Sequence, residues 1–431
     1  MTKEIKSVAV LGGGTMGAGI AGLCAERDIK VLILEINQDA VDAAKDRLLN
    51  GIPAPIDNPE KMANIETGTF DKDLEKLKNY DWICEAIIEN AEAKRGLIKR
   101  VEEVRSDHTI LTSNTSGILL KEISEGMPDR LKRNLAVTHF FNPVKAMKLL
   151  EIIPGNETDP ETIEVLDHFC TQTLDKGVVI AKDTISFIAN RIGCFFMFIG
   201  LHKGKEALDK GLNQERVDAI LSTPIGLPST GLYSLYDLIG LDVMEMIGKN
   251  FAANLPEEDM GKQYGEFPEA EKEMIENGQF GRKTGGGFFR MTKNDDGSRN
   301  KETYDLITKS WRPQLKEELA INDISILFDD SPDGVLAWDV YGTTLCYAAN
   351  LVPVIADDII SVDRAMQWGF NWSNGPFKAM DNIGPHKIIN KLEKEGIELP
   401  HMLKVLKENN AESFYNNNNQ QLSSEGNWIS I

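Results

Sequence analysis

A chain of 431 residues with 42% hydrophobic and 26% charged side chains has the make-up of a globular protein and room for two to four domains. Its formal net charge of −20 leaves no broad basic surface for nucleic acid, and an anionic ligand would need a local cluster of cations set against that field. The five cysteines (Cys24, Cys84, Cys170, Cys194 and Cys346) lack paired spacings, which points to reduced thiols in a cytoplasmic protein and away from a disulfide frame or a metal site.

The N-terminal residues run straight into a strand, with no signal-peptide apolar region. A short apolar strand is expected at residues 7–11. Gly12-Gly13-Gly14-Thr15-Met16-Gly17 follows at once, a G-x-G-x-x-G pattern with glycines at 12, 14 and 17. Residues 18–27 have helical spacing, and residues 31–34 form a second apolar strand closed by Glu35. In that order the glycines serve a tight turn, close approach of backbone to a pyrophosphate, and close packing of helix on strand. The helix N-terminus offers N–H groups and a positive dipole end to the same pyrophosphate. Glu35, eighteen residues past Gly17, stands where ribose hydroxyls would donate to it. Ile36, Asn37 and Gln38 supply no arginine for a 2′-phosphate, and Glu35 would repel one, so NAD is expected in preference to NADP.

A crossover helix is expected over 39–49 and a proline-rich loop over 51–70. Strands follow at 80–88 and 109–113, with a Lys/Glu-rich amphipathic helix at 91–104 between them. The second of these strands ends in Asn114-Thr115-Ser116-Gly117, a polar turn at a strand's C-terminal end, where open α/β sheets bind ligands. Ser116 also fits as the N-cap of a helix starting nearby.

Next comes a strand–loop–strand, Thr138-His139-Phe140-Phe141-Asn142-Pro143-Val144-Lys145-Ala146-Met147-Lys148-Leu149-Leu150-Glu151. A carboxylate inside an apolar strand is costly without a partner, and His139 on the neighbouring strand is a candidate. An imidazole held by a carboxylate is a general base near neutral pH. The bland alternative is a satisfied core histidine beside an unrelated glutamate. A helix over 159–174 and a strand at 178–181 end the alternation of β and α.

From residue 184 the pattern is helical, first over 185–207 and then over 213–222, a two-domain signature. The apolar run 185–201 is interrupted by Asn190 and Arg191, so it predicts a buried helix and no membrane span.

The stretches Gly12 to Gly17, Ser113 to Ser116, His139-Phe140-Phe141-Asn142-Pro143, Glu151 and Phe187-Ile188-Ala189-Asn190-Arg191 together resemble the 3-hydroxyacyl-CoA dehydrogenases of fatty-acid β-oxidation, over about residues 5–290. The resemblance implies that His139 takes the proton of a 3-hydroxyl while NAD accepts the hydride. It implies that Glu151 orients His139, that Ser116 hydrogen-bonds the substrate oxygen, and that Asn190 holds the catalytic arrangement. By itself Asn190 reads as a buried amide. Glu89, Lys94, Ser116, Asn142 and Lys283 fall where the family contacts NAD. Lys283 lies in the turn Gly281-Arg282-Lys283-Thr284-Gly285-Gly286-Gly287-Phe288. The chain departs from the family at 51–70, which is short where relatives carry a longer helical excursion that grips coenzyme A, so no CoA-binding residue is carried over there.

A repeat marks the second half. Gly231-x5-Asp237-x2-Gly240 recurs as Gly375-x5-Asp381-x2-Gly384, with Asp218 and Asp363 preceding the two copies at similar distances. The expected architecture is a Rossmann-type α/β NAD-binding domain at 1–183, followed by all-α domains, a duplicated family C-terminal helical domain at 184–290 and 336–415. Residues 291–335, with the turn Asn294-Asp295-Asp296-Gly297 and a Lys/Glu-rich helical stretch, would be a linker, and 416–431 a polar tail. Single-copy relatives pair such domains between subunits, so the duplication implies a built-in pseudo-dimer.

The expected partners are an acyl-CoA substrate and other β-oxidation enzymes. The arrangement resembles the dehydrogenase portion of fused enzymes that also carry an enoyl-CoA hydratase, and no hydratase-type region is read here. The expected function is NAD-dependent oxidation of (S)-3-hydroxyacyl-CoA to 3-oxoacyl-CoA. The alternatives are a dehydrogenase of a non-CoA 3-hydroxy acid and a non-catalytic scaffold that binds nucleotide or CoA.

Overall fold

The computed structural model describes residues 4–293 and 299–431. The expected turn at 294–297 lies outside them. The chain divides into two units: residues 1–188 with 354–357, and residues 189–353 with 358–431.

The first unit is built on an eight-stranded sheet, ordered β3-β2-β1-β4-β5-β6-β7-β8. Its strands are β1 (Ser7–Leu11), β2 (Lys30–Glu35), β3 (Ile65–Thr69), β4 (Trp82–Glu85), β5 (Ile110–Ser113), β6 (Leu135–Phe140), β7 (Leu149–Pro154) and β8 (Gly177–Ile180). The centre is parallel because β1, β2, β4 and β5 are continuous apolar runs joined by crossovers. β7 turns back antiparallel to β6, and β8 runs parallel to β7. Helix α1 (Thr15–Glu26) packs on β1 at the glycine turn. A Cβ on Gly17 would stand 1.8 Å from the Gly12 carbonyl oxygen, so only glycine allows this approach. Gly12 has φ +100°, the left-handed region that glycine enters without cost. Helix α2 (Gln38–Asn50) follows β2, with Asn37 capping it through Ala40 N–H.

The sequence reading of 51–70 as loop needs correction. Residues 65–69 form β3, paired along β2 from Val31↔Ile65 to Glu35↔Thr69. Their composition, Ile-Glu-Thr-Gly-Thr, carries little strand signal, and the open edge of β2 provides the template. The helix expected from 185 begins at Ala189. Ser186 and Phe187 sit at φ +62° and +52°, which a continuing helix cannot accommodate.

In the second unit, the described residues of 291–335 carry strands in place of the expected linker with a Lys/Glu-rich helical stretch, with helical turns only from Ile324 onward. β9 (Phe289–Lys293), β10 (Arg299–Asp305) and β11 (Ser310–Pro313) form an antiparallel sheet. The Arg290 guanidinium lies 4.0 Å from the Trp311 ring centroid. Arg312 forks onto Glu215 at 2.7 Å through both terminal nitrogens, and Thr303 donates to the same carboxylate at 2.7 Å. Arg216 pairs with Asp333 and Glu317. These contacts hold the segment against helix Gln214–Ile220.

The tail also differs from the expectation. β12 (Tyr415–Asn416), β13 (Gln420–Leu422) and β14 (Trp428–Ser430) form a small sheet. Gln421 is buried and accepts from Ile360 N–H, so a polar composition hid a structural role.

The two repeated stretches make matched hydrogen bonds. Asp218 accepts from the amides of Tyr233 and Ser234, and Asp363 from those of Phe377 and Lys378. Asp237 accepts from Phe288 and Phe289, and Asp381 from Phe414 and Tyr415. Gly240 and Gly384 both have positive φ, at +109° and +93°. Among the described residues no helix is long and apolar enough to cross a membrane, and no cluster of His, Cys, Asp and Glu could hold a metal ion.

Candidate active site

The register of β6 and β7 sets His139 directly opposite Glu151. Both side chains are buried, and His139 Nδ1 lies 2.7 Å from Glu151 Oε2. Because an ionised carboxylate only accepts, Nδ1 carries the hydrogen in a neutral ring. The lone pair on Nε2 then faces Ser116 Oγ, 3.2 Å away. Glu151 Oε1 accepts from Ile188 N–H at 3.1 Å. That amide follows the left-handed pair Ser186-Phe187. Phe141 and Phe187 flank the imidazole at 4.5 and 5.5 Å between ring centroids and keep it dry.

Ser116 sits on the turn after β5, braced by a charge network in which Glu85 and Lys94 are buried and Glu89 is exposed. Glu89 accepts from Thr115 Oγ1 at 2.6 Å, Ser116 N–H at 2.9 Å and Gly117 N–H at 3.1 Å. Burial works against the Glu89 charge, but Lys94 and these donors outweigh it and hold the carboxyl below the usual range. Lys94 is 1% exposed and lies 2.8 Å from Glu85 and 3.3 Å from Glu89. Glu85 also accepts from Ser113 Oγ and Ile87 N–H. Asn114 accepts from Phe140 N–H at 2.9 Å and so couples the β5 turn to the strand that carries His139.

Sequence reasoning missed Glu85, although the signal was the one that flagged Glu151: a carboxylate within an apolar strand run, here the one expected over 80–88. Ser116 forms no N-cap hydrogen bond to a following helix; the next begins at Leu120, with Leu119 at its N-cap.

The glycine loop ends at α1. Gly14 is its N-cap residue, and a Cβ there would meet nothing within 4 Å, so its backbone faces open space. Thr15 is exposed and Met16 half-buried behind it. Glu35 accepts from Gly13 N–H at 2.6 Å, while Arg47 of α2 donates to the Gly13 carbonyl at 2.6 Å. Arg47 was not foreseen, because it reaches the loop through the fold and not through sequence adjacency to Glu35. Ile36, just after β2, and Ile88, three residues past β4, are 70% and 73% exposed. Asn142 lines a cavity of about 510 Å³ with Thr15, Arg47, Pro53 and Lys145.

Two expected site residues belong to the second unit. Asn190 is the second residue of helix Ala189–Asp209. Lys283 lies on a single turn, with its ammonium 2.7 Å from Asp242. Beside Asn190, the buried Arg191 pairs with Asp259 and donates to Tyr347 Oη at 2.6 Å.

Two sequence profiles match the chain: 3-hydroxyacyl-CoA dehydrogenase, NAD binding domain, over residues 7–184, and 3-hydroxyacyl-CoA dehydrogenase, C-terminal domain, over residues 187–291. A probable 3-hydroxyacyl-CoA dehydrogenase of Deinococcus radiodurans is 35% identical over 300 residues, covering 68% of this chain and 84% of that protein. The chain belongs to the 3-hydroxyacyl-CoA dehydrogenase family. The family is one of NAD-dependent oxidoreductases, and residues 7–184 are its NAD-binding domain. The resemblance drawn from the motifs is thus borne out at family level.

A putative fatty acid oxidation complex trifunctional enzyme of Rickettsia felis is 36% identical over 415 residues, covering 94% of this chain and 57% of that protein. The chain spans little more than half the length of the first relatives it matches, 56% and 57%. The crystal structure of 3-hydroxybutyryl-CoA dehydrogenase from Escherichia coli shares the fold, with TM-score 0.67 and 23% identity over 93% of this chain and 98% of that one.

Proposed function

We propose that this chain oxidises an (S)-3-hydroxyacyl-CoA to the 3-oxoacyl-CoA, with His139 as general base. The observation that carries the reading is the buried His139–Glu151 pair at 2.7 Å with Nε2 left facing Ser116 Oγ at 3.2 Å. A binding scaffold has no use for a base held in one tautomer by a carboxylate. Ser116 positions the substrate oxygen, Nε2 takes its proton, and Glu151 supports the imidazolium that results. Asn190 completes the arrangement by analogy with the family motif.

Bound NAD supplies the hydride acceptor. The residues fit such a cofactor: the Gly12–Gly17 turn exposes backbone at Gly14, the α1 N-terminus faces the pyrophosphate position, and Glu35 stands ready for ribose. The exposed Ile36 and Ile88 would flank the adenine. Glu89, Lys94, Asn142 and Lys283 complete the set carried over from the family. Arg47, on the 510 Å³ cavity, supplies a local cation for an anionic acyl-CoA in a chain of net charge −20, while Lys145 on the same cavity is paired with Asp57.

The matched aspartate hydrogen bonds support a duplicated helical domain, and with it a pseudo-dimer within one chain. The Rickettsia relative supports a place beside other β-oxidation activities. The decisive experiment follows NADH consumption with acetoacetyl-CoA against free acetoacetate. Turnover of the thioester alone supports the reading. Equal turnover of the free acid points to a non-CoA substrate, and no turnover of either points to a scaffold.

A further inference from the structure

The loop between His139 and Glu151 must hold Asn142 and set the spacing of β6 and β7, yet it contains no regular element. Its own backbone provides two bonds, Ala146 N–H and Met147 N–H to the Pro143 carbonyl, at 3.0 and 2.9 Å. Further support comes from Lys176, the residue before β8.

Lys176 is 3% exposed, and its ammonium finds no carboxylate within salt-bridge distance among the described residues. Instead it donates to the carbonyls of Val144 and Met147, the latter at 2.6 Å. Those carbonyls point inward from the two ends of the turn. A buried ammonium is costly and persists only where it has fixed acceptors. Burial, with Lys148 nearby, pulls Lys176 down to about 8, and Asp175 opposes.

The grip is reciprocal. Lys148, at the end of the loop, reaches back to the Asp175 carbonyl and carboxylate, both at 2.7 Å. On the opposite side Val144 is wedged against α1: a Cβ on Gly19 would stand 2.7 Å from Val144 Cγ2. The turn is thus held between Lys176 and the helix that starts at the glycine loop.

We propose that Lys176 is a positioning residue of the dehydrogenase site, a clamp that fixes the 142–148 turn against α1 and sets Asn142 for the cofactor. The proposal rests on the cofactor reading of Asn142 given above. Lys176 touches neither His139 nor Glu151, so it acts through the turn.

The test is the Lys176→Met variant of the whole chain, which keeps the stem and removes the donor. It should weaken NADH binding, read by fluorescence titration, roughly tenfold, with a larger fall in kcat/KM of up to about 10²-fold. Hydrogen exchange should speed at the Ala146 and Met147 amides while β6 stays protected. Lys176→Arg, which keeps a donor, should recover part of the affinity. The loss should shrink in an Asn142→Ala background, because both changes act on one contact.

A purely structural lysine would lower the urea midpoint and leave NADH affinity of the folded protein unchanged. That outcome, or full additivity with Asn142→Ala, overturns the clamp. If Lys176→Met does not fold, Gly19→Ala pushes the same turn from the other side and must also weaken NADH binding. Unchanged NADH affinity in Asn142→Ala alone sinks the cofactor reading of Asn142. The clamp then stands or falls on the exchange of Ala146 and Met147.

Discussion

Glu151 and Glu271 are both buried, 0% and 1% exposed, but their surroundings are opposite. Glu151 has a strand partner at 2.7 Å in His139 and a backbone donor in Ile188. Glu271, on helix Glu269–Glu276, has no hydrogen-bond partner from another residue on either oxygen, among the described residues. Burial pushes its carboxyl up to about 8 against a small pull from its own amide and Lys205. Burial alone therefore does not mark a functional carboxylate. Glu151 is answered by His139, whose Nε2 faces Ser116 Oγ, whereas no partner among the described residues answers Glu271, and burial favours its neutral form.

The largest expected effect tests the answered pair. Substituting His139→Ala or His139→Gln should lower turnover by about 10²–10⁴-fold, roughly 3–5 kcal/mol of barrier. Stopped-flow or steady-state NADH consumption measures it. Retention of near-normal turnover would make His139 a core residue.

Glu151→Gln should cost less, roughly 10–10²-fold, because the amide keeps shape and loses charge. NADH affinity should change little. Since the two residues act as one unit, the double variant should lose far less than the product of the single losses. A multiplicative loss would return Glu151 to the status of Glu271, a buried carboxylate without a catalytic role.

Glu35 extends the comparison to a carboxylate that is only half-buried. It engages the Gly13 and Ile36 amides, at 2.6 and 2.9 Å. Glu35→Arg should raise the NAD Michaelis constant roughly tenfold and admit NADP, with Arg47 as a second nearby cation. An unchanged constant would mean that Glu35 serves the glycine loop alone.

Much of this contrast was legible in the sequence. The strands of the first unit are apolar runs, so their order along the chain could be read, and the pairing of His139 with Glu151 followed from the strand–loop–strand pattern. Other features needed the fold. β3 forms because β2 offers an edge, and β9 to β11 mix exposed and half-buried, mostly polar residues without clean alternation, a weak signal beside nearby helical segments. Lys176 and Arg47 act through loops distant in sequence. Glu271 sits in Glu-Ala-Glu-Lys-Glu-Met-Ile-Glu, which reads as a solvated helix face, and only its burial in the fold reveals it.

The smallest expected effect on turnover falls on that orphan. Its folded pKa, about 8, lies above the ordinary carboxyl value of 4.5. Between those values the folded state binds the proton more tightly than the unfolded state. The stabilisation from the buried neutral carboxyl is therefore complete below pH 4.5 and is lost as pH rises through about 8. Glu271→Gln keeps the neutral shape at every pH. The variant should match the parent in thermal midpoint near pH 5 and exceed it near pH 9, by up to roughly 4 kcal/mol, since about three pH units separate pH 5 from the folded value of about 8 and each is worth about 1.4 kcal/mol. Turnover per folded molecule should not change. Should Glu271→Gln lose turnover as Glu151→Gln does, at equal stability, partnering would fail as the mark of a working carboxylate. Parallel melting curves of variant and parent across pH 5–9 would show instead that Glu271 finds a partner, such as bound water, that keeps its charge solvated.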